Sequence, residues 1–196
     1  MFDVLAHFLR WSIGLDAATT QTTDAERECM FRHAQSRKRL AEIGVWEGVT
    51  ARQLRESMDS DAIYFAIDPY PVGRLGFSTQ KIIAHSTLEK CRRGRVVWIE
   101  DTGVNSARYP EVAKQPIDFL FIDGDHSYEG LKGDWHAWNP LIEIGGIVAL
   151  HDSRSTSQRM IDDAGSVKFT NDVILCDSKF QTIETIDSLT VLQRRE

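Results

Sequence analysis

The chain has 196 residues, 42% of them hydrophobic and 27% charged, which suits one domain with a sizeable core and excludes a disordered chain. Its formal net charge is −6, opposite to the basic balance of proteins that track nucleic-acid phosphates, so no polymeric nucleic acid is expected as a partner. No run of about 18 apolar residues occurs, so no membrane-spanning helix is expected.

Residues Met1 to Leu15 are apolar, but His7 and Arg10 interrupt the run and no basic segment precedes it, so it does not read as a signal peptide. Phe2, Leu5, Phe8, Leu9 and Ile13 share one face of a short helix. That helix reads as packed on the domain, with a lid over a site or a homodimer contact through Phe2, Phe8 and Trp11 as the alternatives. Residues 16–23 (DAATTQTT) are linker-like and divide an N-terminal segment, 1–23, from a domain, 24–196. Thr23 and Glu26 have capping-box spacing, which predicts a helix to about Lys38. Cys29, Cys91 and Cys176 form no CxxC pair and read as buried free thiols of a cytoplasmic protein.

From here strands and helices alternate. Strands are predicted at Leu40–Gly44, Ala62–Ile67, Arg95–Glu100, Ile117–Ile122 and Gly146–Leu150. Helices are predicted at Thr50–Ser57, Phe77–Cys91, near 106–113, at Ser127–Leu141 and near 166–175. Phe180–Ile186 and Leu189–Arg194 read as two strands joined at Asp187 and Ser188, a connection too short for anything but antiparallel pairing. Nearly uninterrupted apolar strands separated by helices imply an α/β, doubly wound, mostly parallel sheet closed by an antiparallel C-terminal strand. Ligands of such sheets bind beyond the carboxyl ends of the strands.

The residues at those ends are therefore the candidates. The first strand runs into Glu42-Ile43-Gly44-Val45-Trp46-Glu47-Gly48, a GxxxG loop in which Trp46 stands where a dinucleotide enzyme needs glycine against pyrophosphate. The second ends in Asp68, placed to accept hydrogen bonds from ribose hydroxyls, with Tyr70 beside the sugar. The third ends in Glu100 and Asp101, either of which could accept an adenine amine. The fourth ends in Asp123-Gly124-Asp125-His126; crowded acids there call for a cation, substrate or proton, and histidine is the side-chain type suited to act as a base near neutral pH. The blander reading makes Asp125 a helix cap and His126 a surface residue. The fifth ends in His151-Asp152, which with Asp123 offers ligands to a divalent ion, although two carboxylates are few for magnesium.

The runs EIGVWEGVT, AIDPY, IDFLFIDGDHSYEG and GGIVALHDS resemble class I S-adenosylmethionine-dependent methyltransferases over roughly residues 24–193. More narrowly they resemble a small bacterial group that includes macrolide-sugar O-methyltransferases and cephalosporin-hydroxylase-like proteins. The resemblance implies a Rossmann-like seven-stranded sheet with its last strand antiparallel. It implies Gly44 and Gly48, with Trp46 between them, beneath the methionine part of S-adenosylmethionine, Glu42 near its amino group, Asp68 on the ribose, and Glu100 and Asp101 near adenine. It also implies Mg2+ on Asp123, a general base at His126, and a pair of acids after the fifth strand. Here that pair is His151–Asp152, so activation by His126 or His151 without metal is the alternative.

The expected activity is methyl transfer to a small-molecule hydroxyl of a sugar or natural product, with Asp123 and His126 catalytic. A non-catalytic S-adenosylmethionine-binding protein and an NAD-dependent oxidoreductase are the rival readings. The acceptor pocket is expected from the N-terminal segment, residues 71–80, and residues 153–165, whose polar stretch Ser153–Asp163 reads as a closing loop.

Overall fold

The computed structural model describes residues 4–73 and 76–196. Phe2 of the N-terminal helical face, and residues 74 and 75 of the expected acceptor segment, lie outside the described residues. In chain order the elements are α1 (Val4–Ser12), α2 (Asp24–Ala34), β1 (Arg39–Ile43), α3 (Val49–Ser57), β2 (Ile63–Ile67), α4 (Thr79–Leu88), β3 (Arg95–Ile99), α5 (Gly103–Ser106), α6 (Pro110–Ala113), β4 (Ile117–Ile122), α7 (Tyr128–Trp138), β5 (Ile142–Leu150), α8 (Gly165–Asp172), β6 (Phe180–Ile186) and β7 (Leu189–Arg194).

The strands form one seven-stranded sheet in the order β3-β2-β1-β4-β5-β7-β6. Pairing is parallel from β3 through β5, and β7 runs antiparallel to both β5 and β6. The alternation along each strand divides the core in two. On one face Leu40, Tyr64, Phe119 and Val191 pack under α2, α3 and α4 through Met30, Leu54 and Ala84. On the other Ala41, Phe65, Leu120 and Leu192 pack under α7 and α8 through Trp135, Trp138 and Phe169. Both faces of the central strands are thus buried, which is why they read as apolar runs. No described helix is long and apolar enough to cross a membrane.

The capping box forms as the spacing predicts: the Thr23 hydroxyl accepts from the Glu26 amide at 3.1 Å, and Glu26 accepts from the Thr23 amide at 2.8 Å. Several boundaries differ from expectation. The second helix stops at Ala34 and not Lys38, because Gln35 leaves helical geometry and Ser36 turns left-handed (φ 60°). The single helix expected near 106–113 is two short ones, the second opened by Pro110. Strand β5 starts at Ile142 and not Gly146; its register to β4 slips after the pair Ile117–Ile142, so its first half pairs irregularly.

The N-terminal helix departs most from its pattern. Leu5, Leu9 and Ile13 are exposed, and the residue that α1 buries is His7. Phe8 and Trp11 stack at 5.8 Å, and Phe8 meets Phe77 edge-on at 6.0 Å. Of the three free cysteines, Cys29 is buried, Cys91 half-buried and Cys176 exposed, so the expectation of buried thiols holds fully only for Cys29.

Candidate active site

The carboxyl ends of β1 through β4 open into a cleft of about 590 Å³. Thr19, Thr20 and Gln21 of the N-terminal segment form part of its wall. Residues 71–73, 76–80 and 153–165 do not line it. Seven carboxylic acids do: Glu42, Asp68, Asp101, Asp123, Asp125, Glu129 and Asp134. Among the described lining residues there is no lysine or arginine, and His126 is the one basic side chain.

The loop after β1 is fixed by backbone constraints. Gly44 is left-handed (φ 89°), and a Cβ there would collide with the Asp123 carbonyl, so only glycine lets β1 and β4 close at this point. Trp46 is also left-handed (φ 53°), an uncommon state for a bulky residue. That turn aims two successive amides at one carboxylate: Asp68 accepts from Val45 at 3.1 Å and from Trp46 at 3.0 Å on one oxygen, and from Tyr70 at 2.9 Å on the other. Burial raises the Asp68 carboxyl above its ordinary value, and these three donors work against that rise. Gly48 is not on the cleft wall; it caps α3 and closes against Leu88 and Ala84 of α4.

Glu47, which sequence reasoning passed over, is buried and does not line the cleft. It accepts from the Thr19 amide at 2.6 Å and hydroxyl at 2.8 Å, and faces His7 Nε2 at 3.1 Å. The Trp46 indole donates to the same Thr19 hydroxyl at 3.3 Å. The N-terminal segment is therefore tied directly to the glycine loop.

At the base of the cleft Glu42 is hydrogen-bonded by the Tyr64 hydroxyl. Burial pushes its carboxyl well above the usual range, and the Tyr64 hydrogen bond works against that rise. Beyond β3 the two acids separate. Asp101 lines the cleft, held below its ordinary value by Asn105, whose amide donates at 2.9 Å, and by the Thr102 amide at 2.7 Å. Glu100 leaves it and pairs with Lys81 at 2.6 Å. Asp134, on α7, also reaches the wall, and its burial raises its carboxyl to about 6. Asp125 accepts from the Ser127 amide at 2.9 Å, but the helix cap is Ser127 itself, which accepts from Gly130.

The ends of β4 and β5 carry the chemistry-bearing cluster. Their register, Ile122 beside Leu150, makes Asp123 and His151 neighbours, 2.7 Å apart through Nδ1. The other His151 nitrogen faces Glu26 of α2 at 3.5 Å. Burial opposes a charged imidazole, but these two acids prevail and raise His151 to about 10. Asp152 is left-handed (φ 48°) and pairs with Arg159. His126 Nε2 stands 3.5 Å from Asp123 and 3.9 Å from Asp152, and the ring is 40% exposed at the cleft. Donor atoms of Asp123, His126 and His151 lie within 4.8 Å of one another; of the residues expected to hold a metal, Asp123 and His151 fall in this group, while Asp152, 3.9 Å from both imidazoles, is engaged by Arg159.

An open sheet of this order, with one antiparallel strand and an acid-lined cleft at its carboxyl edge, is the Rossmann-like architecture of class I methyltransferases. The family described as "Methyltransferase domain" matches residues 41–153, more than half of the chain, and the chain belongs to it. Among solved structures, an O-methyltransferase from Bacillus cereus in complex with SAH is similar at 15% identity and a TM-score of 0.65, covering 99% of this chain and 92% of that one. The O-methyltransferase TomG from Streptomyces achromogenes, involved in tomaymycin synthesis and in complex with SAM, is similar at 13% identity and a TM-score of 0.66, covering 100% and 91%. An rRNA methylase from Streptococcus thermophilus shares the fold at 12% identity and a TM-score of 0.59, covering 91% and 100%.

Proposed function

We propose that this methyltransferase uses S-adenosylmethionine to methylate a hydroxyl of a small molecule, with His126 as the general base. The observation that carries the reading is the charge of the cleft: seven acids and no lysine or arginine among the described lining residues. Such a wall suits a cofactor bearing a sulfonium and an ammonium, and repels the pyrophosphate of NAD, which disfavours the oxidoreductase reading. The same wall and the net charge of −6 disfavour a nucleic-acid acceptor, although an rRNA methylase shares the fold. The names of the B. cereus protein and TomG support transfer to oxygen.

Bound in the cleft, S-adenosylmethionine supplies a methyl group already activated on sulfur. The chain's own residues then have two tasks. Asp68 and the amides that hold it fix the ribose end, and Asp101 stands at the adenine end, so that the methyl is presented in line. His126, at the rim, removes the acceptor's hydroxyl proton as the oxygen attacks. The exposed His126 ring and the acids beside it support that role, because Asp123 and Asp152 stabilise the imidazolium that forms. These acids beside the reacting centre also weigh against a non-catalytic binding protein, which has no use for a base there.

Mg2+ is not part of the reading. The ion favours an oxygen shell of near-octahedral geometry. The converging donors are one carboxylate and two imidazoles, and Arg159 already neutralises the second acid, Asp152. His151 and Arg159 supply the positive charge that a metal would otherwise bring to this corner.

Titration calorimetry of S-adenosylhomocysteine and of NAD into the wild type and Asp68→Ala tests the cofactor. Micromolar binding of the first alone, weakened at least about tenfold in the variant, is expected from losing charge-assisted hydrogen bonds. Binding of NAD but not S-adenosylhomocysteine would overturn the reading.

A further inference from the structure

A second cluster lies outside the cleft, between α2 and β6. Cys29 and His33 are four residues apart on α2, hence one above the other on the same helical face. Glu184 of β6 stands against them, with its Oε2 2.9 Å from His33 Nε2. Donor atoms of all three lie within 4.8 Å of one another. Cys29 is fully buried, while His33 and Glu184 are partly exposed, at 22% and 34%.

The placement of Glu184 depends on a break in the strand. Between Thr182 and Glu184 the register of β6 on β7 slips by one residue, so that Thr182 opposes Leu192 and Glu184 opposes Val191. Leu192 belongs to the core under α7 and α8, and Val191 to the core under α2. Without the slip, strict alternation would put Glu184 on the α7 face; the bulge turns it toward Cys29 and His33.

We propose that Cys29, His33 and Glu184 form a binding site for a divalent transition metal of the zinc class. A thiolate, an imidazole and a carboxylate are the ligand types that ion prefers, and three protein ligands leave a fourth, solvent-facing position for water. Binding forms bonds from the metal to Sγ, Nε2 and Oε2 and releases the thiol proton to solvent. The two ligand charges then balance the ion's own. Arg32, which holds the other oxygen of Glu184 at 2.6 Å, can stay in place and orient the carboxylate from behind. Burial, with the charge of Glu184 adding to it, raises the Cys29 thiol to about 11, so without metal it is an unreactive thiol. The site joins the middle of α2 to the C-terminal strand pair. The same helix carries Glu26 to His151, so an ion there would also brace one wall of the cluster described above.

The test is titration of Co2+ into the metal-stripped full-length protein under reducing conditions, following the thiolate-to-cobalt charge-transfer absorption. One equivalent with that absorption, displaced by Zn2+, is expected. It should be lost in Cys29→Ser, weakened at least about tenfold in His33→Ala and Glu184→Gln, and retained in a Cys91→Ser/Cys176→Ser double variant. It should also persist in Asp123→Asn, since the cluster at the cleft has no thiol. A wild-type titration without the absorption overturns the proposal whatever the variants do, as does an unchanged signal in Cys29→Ser or in both His33→Ala and Glu184→Gln.

Discussion

Asp123 and His151, at the ends of adjacent strands, are joined at 2.7 Å, and the far side of the same imidazole faces Glu26 at 3.5 Å. A buried imidazole between two carboxylates is held as a cation. Asp152 is matched in the same way by Arg159. The acids crowded at this corner of the cleft are therefore balanced by two cations, His151 and Arg159, and His126 is left facing the cleft.

This arrangement sets a pH window for stability. His151 is raised to about 10 in the fold, so its contribution is complete below about 6.5, its ordinary value, and is lost as pH rises toward 10. Glu26 is lowered to about 2: burial opposes this, and His151, Thr23 and Ser188 outweigh it. Its contribution is complete above its ordinary value of 4.5 and is lost as pH falls toward 2. Urea midpoints should be highest between about pH 4.5 and 6.5 and should decline on the alkaline side up to about pH 10. In His151→Gln the alkaline decline should be much reduced. An equally steep decline in that variant would show that other groups set it.

Metal dependence follows from the same corner. Turnover is expected to be the same in Mg2+-free buffer and with added Mg2+. Since Arg159 takes the place of one ionic partner of Asp152, Arg159→Ala should lower turnover, and Mg2+ should not restore it. A tenfold or greater stimulation of the wild type by Mg2+ would replace the internal cations with a bound one.

Glu47 makes a separate prediction about the N-terminal segment. Its carboxylate is buried and accepts two bonds from Thr19 while facing His7, so it fastens residues before the first capping box to the glycine loop. Glu47→Ala leaves these donors without their acceptor. A loss of about 1–3 kcal/mol in urea unfolding is expected. Hydrogen exchange of the Thr19 amide should accelerate, and S-adenosylhomocysteine affinity should fall, because Thr19 to Gln21 line the cleft. Unchanged Thr19 exchange would mean that the segment is held by other contacts.

The fold was legible in the sequence where a strand is an apolar run or a connection is too short for any other pairing. β4 and the β6–β7 pair fall on their expected residues, because apolar runs and a two-residue connection leave little choice. The convergence of Asp123, His126 and His151 was legible for the related reason that parallel strands bring their ends to one edge. Other features depend on contacts that are remote in sequence. Nothing local distinguishes Glu47 from a solvated loop acid, since its partners are Thr19 and His7. Asp134 is one polar residue on an amphipathic helix, and its burial follows from its place over the loop after β3. In α1 the periodicity marked an apolar face that is mostly exposed, because the inward residue is His7, placed by its acidic partners. Gly48 looked like a ligand glycine, but its missing Cβ serves close packing of α3 on α4.

The role of His126 is separable from that of its neighbours by the kind of defect each substitution causes. A base acts on the chemical step alone, whereas the residues that fix the cofactor act on binding. His126→Ala should therefore lower kcat by about 10²–10⁴-fold while leaving S-adenosylhomocysteine affinity within about twofold of wild type. His126→Gln can occupy the same space but cannot carry the proton, and should be equally impaired. The residual activity of His126→Ala should rise with pH through attack by pre-ionised acceptor. Acceptors with more acidic hydroxyls should narrow the gap between wild type and variant, because less of the barrier then belongs to proton removal. A variant whose kcat is unchanged, or whose loss is the same for acidic and ordinary hydroxyls, would move the base elsewhere and leave His126 as a binding residue at the rim of the cleft.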